Sequence, residues 1–232
     1  MRSWLCVGLG VVVAGLLLSG IGRTARAGEE GKEGLDELKI ELPLPMFRGT
    51  PKNIPITEHM KKPSAKPRAA FVAPKGTKNV ALKKPVTSSD DAPIIGELAQ
   101  VTDGDKKGSD GSYVELGPNR QWVQIDLQEK YNIHALLVWH FHGEARVYHD
   151  VVVQVADDPD FITNVRTLFN NDYDNSSGLG IGKDLEYFEN YEGELIPVKD
   201  TAARYVRLYS KGSTANDMNH YTEVEVYATP AK

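Results

Sequence analysis

Cysteine is nearly absent. Cys6 is the one cysteine among 232 residues, which excludes an intrachain disulfide framework and any zinc site built on cysteines. No segment carries apolar residues at a sustained 3.6-residue period, so no long amphipathic helix is expected. Glycine (21) and proline (13) are too few and too aperiodic for a collagen-like chain. A hydrophobic fraction of 41% excludes wholesale disorder. The signatures of several enzyme classes are missing: there is no G-x-S-x-G, H-E-x-x-H, G-x-G-x-x-G or P-loop. Acidic residues fall mostly in turns or on exposed strand positions, so no carboxylate pair marks a glycosidase. A catalytic role is not expected.

The net charge of -5 is unevenly spread. Residues 1–84 hold 15 basic and 7 acidic side chains, a net of +8; residues 85–232 hold 12 and 25, a net of -13. A basic arm thus precedes a strongly acidic domain. The acidic domain argues against nucleic-acid or anionic-lipid binding and favours cations in its turns. The arm suits its own domain, an acidic protein partner or a wall polymer.

Three segments follow. In residues 1–27, Arg2 precedes the apolar run Val7–Leu18, and small residues stand at Ala25 and Ala27. That order describes a secretory signal peptide cleaved after Ala27, hence a secreted protein of the periplasm or cell surface with no membrane insertion after cleavage. Residues 28–78 are crowded with Pro43, Pro45, Pro51, Pro55, Pro63, Pro67 and Pro74. Prolines at that density favour extended chain, so this reads as an arm whose Met46-Phe47, Ile54, Ile56 and Phe71-Val72 dock on a neighbouring surface. Residues 79–229 read as one all-β domain. Val123, Ile125 and Leu127 alternate, as do Val151, Val153 and Val155, then Val206 and Leu208, then Val224 and Val226. Period-two patterns rich in valine and tyrosine, separated by Asp-Gly, Gly-Pro and Ser-Gly turns, make strands of a sandwich. Ile133–Trp139 is nearly all apolar, as in a strand buried on both faces.

Five motifs occur in order across residues 79–228: Asn79-Val-Ala-Leu-Lys-Lys-Pro-Val-Thr-Ser-Ser89, Val101-Thr-Asp-Gly-Asp105, Gln121-Trp-Val-Gln-Ile-Asp-Leu127, Ala203-Arg-Tyr-Val-Arg-Leu208 and Thr222-Glu-Val-Glu-Val-Tyr227. Together they resemble the discoidin, or coagulation factor V/VIII type C, domain, shared by many bacterial sugar-binding modules of carbohydrate-binding family 32. The resemblance implies a galactose-binding-like jelly-roll β-sandwich that binds rather than catalyses. It implies a structural calcium ion where the Asp-Gly loop meets the last strand. Asp103, Asp105, Ser109 (or Asp110), Thr222 and Glu223 stand at the matching positions, and their oxygens suit a hard cation. The chain departs from the eukaryotic members in lacking a disulfide, and its polar stretch 170–194 is longer than usual and is placed to reshape or cover the ligand face.

The resemblance also implies a glycan site in loops at one end of the sandwich. The loop His140-Phe-His-Gly-Glu-Ala-Arg-Val-Tyr-His149 concentrates imidazole, guanidinium and aromatic groups, the chemistry that meets sugar faces and hydroxyls. Its candidates are His142, Arg146 and Tyr148. The loop before the last strand adds Asn216, Asn219 and His220. Two other readings stay open for the first loop. His140, His142 and His149 suit a transition metal. Alternatively, His140 and Tyr148 pack on Trp139 and Phe141, with His142 solvated. A third stretch holds Asp172, Asp174, Ser176 and Gly178 and is similar to an acidic calcium loop, but its spacing is not that of an EF-hand, and it reads as a polar surface loop. The leading function is a secreted glycan-binding module; the alternative is a protein-interaction or envelope-assembly module on the same fold.

Overall fold

A computed structural model of the chain describes residues 34–47, 52–64 and 66–231. The expected signal segment and its cleavage position lie outside the described residues. Eleven strands form: β1 Leu35–Glu37, β2 Val72–Pro74, β3 Lys78–Asn79, β4 Val86–Ser88, β5 Val114–Leu116, β6 Gln121–Trp139, β7 Val152–Ala156, β8 Arg166–Asn170, β9 Glu194–Ser210, β10 Asn219–Tyr221 and β11 Glu223–Pro230. One 3-10 turn, Leu98–Thr102, is the only helical element among the described residues. The fold is the all-β sandwich that the motif resemblance implied.

The main sheet is antiparallel and runs β3-β11-β6-β9-β7-β8, with β4 also on β6. The sequence reads β6 as two strands; it is continuous but bent. Its first half pairs with β4 and the end of β9, and its second half with β11 and the start of β9. Between them the register breaks, between Asp126 and Tyr131, where Gln128 takes a φ of 70°. Asp126 holds this bend: its carboxylate accepts from the Gln128 N–H at 2.7 Å and from Arg204 Nε and Nη2, each at 2.8 Å. The bend turns both halves of β6 towards one core. Val123, Ile125 and Leu127 meet Ile133, Leu136 and Val138 there, with Val153, Val206, Leu208, Val224 and Val226. The short pair β5-β10 adds Val114, Leu116 and Tyr221.

The opposite face of the second half of β6 carries Ala135, Leu137 and Trp139. The arm covers it. Leu38, Ile40 and Phe71 pack there beside Leu195 and Tyr227, and β1 pairs with β2 to hold the two arm segments together. Ile54 and Met60 cluster with Val147 and Phe188. The arm is mostly extended, as its prolines dictate, and Ile54, Met60 and Phe71 pack on the chain's own sandwich. Basic arm residues also reach the sandwich: Lys61 pairs with Glu194, and Arg68 Nη1 donates to the Glu192 and Gly193 carbonyls, each at 2.9 Å. No helix among the described residues is long and apolar enough to cross a membrane.

Candidate functional site

The loops at one end of the sandwich are bound to each other. Tyr148 bridges Ser213, the His149 N–H donates to the Gly212 carbonyl at 3.1 Å, and Thr214 N–H donates to the Val147 carbonyl at 2.9 Å. This zips the 140–149 loop to the 211–216 loop. Asn219 anchors the second loop from beneath. Its amide donates to the Gly117 and Asn119 carbonyls at 2.8 and 2.9 Å, and its oxygen accepts from Ser210 Oγ and Gly212 N–H at 2.8 and 2.9 Å.

Arg146, Tyr148 and His220 converge. The Arg146 guanidinium lies over the Phe141 ring, 4.5 Å from its centroid, and its one carboxylate contact is Glu144 at 3.4 Å. Its Nε and Nη1 are buried without a partner among the described residues. Tyr148 stacks on His140 with centroids 4.5 Å apart, and His220 meets Tyr148 edge-on with centroids 6.0 Å apart. The Tyr148 hydroxyl and His220 Nδ1 are likewise buried and unpaired. His220 Nε2 meets Glu115 at 2.8 Å. Burial, and then the Arg146 charge, depress the His220 pKa, so the ring is neutral at pH 7. Burial drives the Tyr148 hydroxyl far above its ordinary value, so it stays a neutral donor and acceptor.

Two more groups enter from the 184–194 segment. Glu189 Oε1 meets His140 Nδ1 at 2.6 Å, while Glu189 Oε2, His140 Nε2 and the Tyr187 hydroxyl are buried and unpaired. A buried polar atom without a partner costs about 1–3 kcal/mol. This cluster is therefore either hydrated or a recognition site, and in both cases its groups want partners.

The other expected ligand groups lie elsewhere. Asn216 stands on the exposed rim, its side-chain oxygen accepting from the Met218 N–H at 3.1 Å. Asn219 has its amide and oxygen engaged inside the protein and leaves no free atom for a ligand; it is a positioning residue. His142 is neither solvated nor at the ligand cluster. It is fully buried, with Nε2 on the Lys106 carbonyl at 2.8 Å, beneath the Asp-Gly loop. Nor do the three histidines converge: His140 meets Glu189, His142 meets Lys106, and His149 meets Glu186 at 3.0 Å. Tyr187 and Glu189 are the participants that sequence reading missed. Their signal was an i, i+2 pair inside a stretch read as a polar connection.

The Asp-Gly loop wraps the start of β11. The Gly104 N–H donates to Glu223 Oε2 at 3.0 Å. Glu223 Oε1 and Thr222 Oγ1 are buried and unpaired. Asp105 accepts from the Ser112 hydroxyl at 3.0 Å and from the Lys107 N–H at 3.2 Å, and Ser109 Oγ lies 3.4 Å from Ser112 Oγ. Asp103 Oδ1 accepts the Asp105 N–H at 2.7 Å. Burial pushes the Glu223 carboxyl up to about 9, against the Gly104 N–H, with the nearby charges of Glu225 and Asp103 adding to the rise. The loop fits tightly at its far end, because a Cβ on Gly108 would stand 2.7 Å from the Gly143 nitrogen and 2.8 Å from His142 Nδ1.

Among the described residues, the acidic triad whose oxygens lie within 4.8 Å of one another is a different one: Asp150, Asp172 and Asp174. Ser176 and Ser177 hydrogen-bond into it, and Lys211 Nζ stands 3.6 Å from Asp150. It has the oxygen chemistry of a cation site, and its charge is already met in part by Lys211.

No family model matches the chain, and no curated protein matches it. Solved structures do resemble it. A chitosan-binding module from a Paenibacillus chitosanase/glucanase is 20% identical with a TM-score of 0.47, over 65% of this chain and 98% of that one. A fucose-binding module of Streptococcus pneumoniae is 19% identical at 0.46, over 67% and 98%. A fucolectin from striped bass serum is 17% identical at 0.45, over 67% and 50%.

Proposed function

We propose that the chain is a secreted, non-catalytic carbohydrate-binding module whose recognition groups are Arg146, Tyr148 and His220, with Asn216 on the rim. One observation carries this reading: Arg146 Nε and Nη1, the Tyr148 hydroxyl and His220 Nδ1 are unpaired polar atoms gathered at the loop end of the sandwich, beside the Phe141 ring. Sugar hydroxyls both donate and accept, so they satisfy such a mixed set, and an aromatic ring meets the apolar face of a pyranose. Binding per site is weak, because each hydrogen bond replaces one to water. The aminoterminal apolar run supports export, with cleavage after Ala27, and N-terminal sequencing of secreted protein checks it.

Calcium belongs to this reading. Glu223 Oε1 and Thr222 Oγ1 are oxygens left without partners inside the protein, which fits a hard cation held by the Asp-Gly loop. Glu223 and Thr222 would hold the ion, with Asp103, Asp105 and Ser109 supplying further oxygens from the loop. The ion would tie that loop to β11, and His142 under the same loop would be fixed with it.

The test is a glycan array probed with the full chain, alongside Arg146→Ala and His220→Ala. Binding to a defined set of glycans that both substitutions weaken tenfold or more is the expected result. A flat array for the unaltered chain in calcium would refute the carbohydrate reading.

A further inference from the structure

The recognition groups are roofed. Residues 186–191 lie across them, with Tyr187 and Glu189 turned inward and Glu189 N–H bound to the Arg146 carbonyl at 2.9 Å. Among the described residues, the main chain between Leu185 and Glu192 makes that one hydrogen bond to the 140–149 loop and two to the arm. The Lys61 N–H donates to the Glu186 carbonyl at 2.8 Å, and the Glu186 N–H donates to the His59 carbonyl at 2.9 Å. Met60 thereby forms a parallel bridge with Glu186. The arm is fastened on both sides of this bridge. His59 stacks on Tyr173 with centroids 4.0 Å apart and planes 3° from parallel, and Lys61 pairs with Glu194. Met60 itself is buried against Val147 and Phe188.

We propose that residues 186–191 are a cover over the Arg146–Tyr148–His220 site, latched shut by arm residues 59–61, and that ligand is admitted when the latch releases. The cover is held from both sides: its main chain bonds twice to the arm and once to the loop, while its side chains hold the loop through Glu189–His140 at 2.6 Å and Glu186–His149 at 3.0 Å. Beneath it, Arg146, Tyr148, Tyr187, Glu189, His140 and His220 all carry buried polar atoms without partners, which water or sugar hydroxyls satisfy once the cover lifts. Closing the site leaves those groups unsatisfied, so opening recovers free energy there and loses it at the latch and at the Glu189–His140 and Glu186–His149 pairs. The inference rests on the reading of this cluster as the ligand site.

The latch is tested with diethyl pyrocarbonate on the full secreted chain, with carbethoxylation of each histidine followed by peptide mass spectrometry. In the unaltered chain the buried His140 and His220 are expected to react at least tenfold slower than the half-buried His59. Lys61→Glu sets a carboxylate against Glu194, and Tyr173→Ala removes the stacking partner of His59. Either is expected to speed labelling of His140 and His220 fivefold or more while β6 and β9 keep their amide protection. Glycans bound by the unaltered chain should then bind more tightly. Unchanged labelling in both variants overturns the latch. So does loss of strand protection in both, since the arm contact would then be part of the core. Fast labelling in the variants with a flat glycan array in every form keeps the cover and sinks the sugar reading instead.

Discussion

Asn219 and Arg146 show how two polar residues in one loop cluster serve opposite ends. Asn219 has its polar atoms engaged in hydrogen bonds of 2.8–2.9 Å that join the 117–119 turn to the 210–212 turn. Asn219→Ala removes the partner of the Gly117 and Asn119 carbonyls and of the Gly212 N–H, while the Ser210 hydroxyl keeps Tyr221. The expected loss is about 2–4 kcal/mol of stability, read by urea unfolding, and weaker glycan binding follows only from the displaced loop. Arg146 has unpaired nitrogens, so Arg146→Ala should lose binding while stability changes by less than in Asn219→Ala. Equal stability losses in the two variants would place Arg146 in the scaffold. Sequence composition singled out both residues as ligand groups because hydrogen-bonding side chains look alike until their partners are known. That Arg146, Tyr148 and His220 lie in neighbouring loops was legible from the density of polar and aromatic groups in two segments; whether they meet a ligand is what the glycan test reads. Asn219 and His142 were misplaced because burial and partners are set by chain segments up to a hundred residues away, Gly117 and Lys106 among them.

At the scale of the element, Gly193 lies just beyond the proposed 186–191 cover, and it tests how tightly that segment seats. Gly193 has a φ of 65°, and a Cβ there would stand 2.6 Å from the Trp139 ring. The Trp139 indole donates to the Tyr191 carbonyl at 3.0 Å, so any shift at position 193 moves the cover's end. Gly193→Ala is expected to cost about 2–4 kcal/mol, from the left-handed backbone and the overpacked ring together. A cost near zero by urea unfolding would mean the segment re-seats freely. Elements that alternate were readable: the valines of β6, β7, β9 and β11 lie inward as their spacing required. The first half of β9 was not, because its alternation is short, with Ile196 and Val198 buried between exposed Pro197 and Lys199, and a proline argues against a central strand. The arm's docking was not either. Its apolar residues are singles between prolines, and a chain without a period gives no sign of which face it covers.

The acidic charge of the whole molecule is linked to its stability through Glu223. Burial raises this carboxyl from 4.5 to about 9. A group whose folded pKa lies above its unfolded one contributes stability below the unfolded pKa, and that contribution is lost as pH rises towards the folded pKa. In chelator, stability should therefore fall between about pH 5 and pH 9, and Glu223→Gln should remove that part of the slope. Calcium at the Asp-Gly loop requires the ionised carboxylate, so millimolar calcium should flatten the unaltered chain's profile and raise its melting midpoint, with no effect on Glu223→Gln. His149, whose pKa is raised by Glu186, also loses its contribution as pH rises through this range, so the difference between the two chains is the quantity that counts. A pH-independent difference, insensitive to calcium, would remove the ion from the loop.

The division into basic arm and acidic sandwich also describes how the molecule closes its own surface. The strand pair β6-β11 presents Ala135, Leu137, Trp139 and Tyr227 outward, and Leu38, Ile40 and Phe71 of the arm cover them. Without the arm this becomes an exposed apolar patch on a sheet face, a surface that soluble chains keep small. Trp139 reports it directly. It is fully buried, and in a chain beginning at Asn79 the other tryptophan, Trp122, can be replaced by phenylalanine so that emission comes from Trp139 alone. Compared with the same substitution in a chain beginning at Gly28, the truncated form should emit at longer wavelength, be quenched more strongly by acrylamide and associate with rising concentration. Lys106, 5.3 Å above the ring, belongs to the sandwich, so this neighbour of the ring is kept while its arm cover is lost. Unchanged emission and quenching in the truncated chain would mean that the sandwich closes over Trp139 by itself, and that the arm's basic charge, rather than its apolar residues, is what the molecule uses.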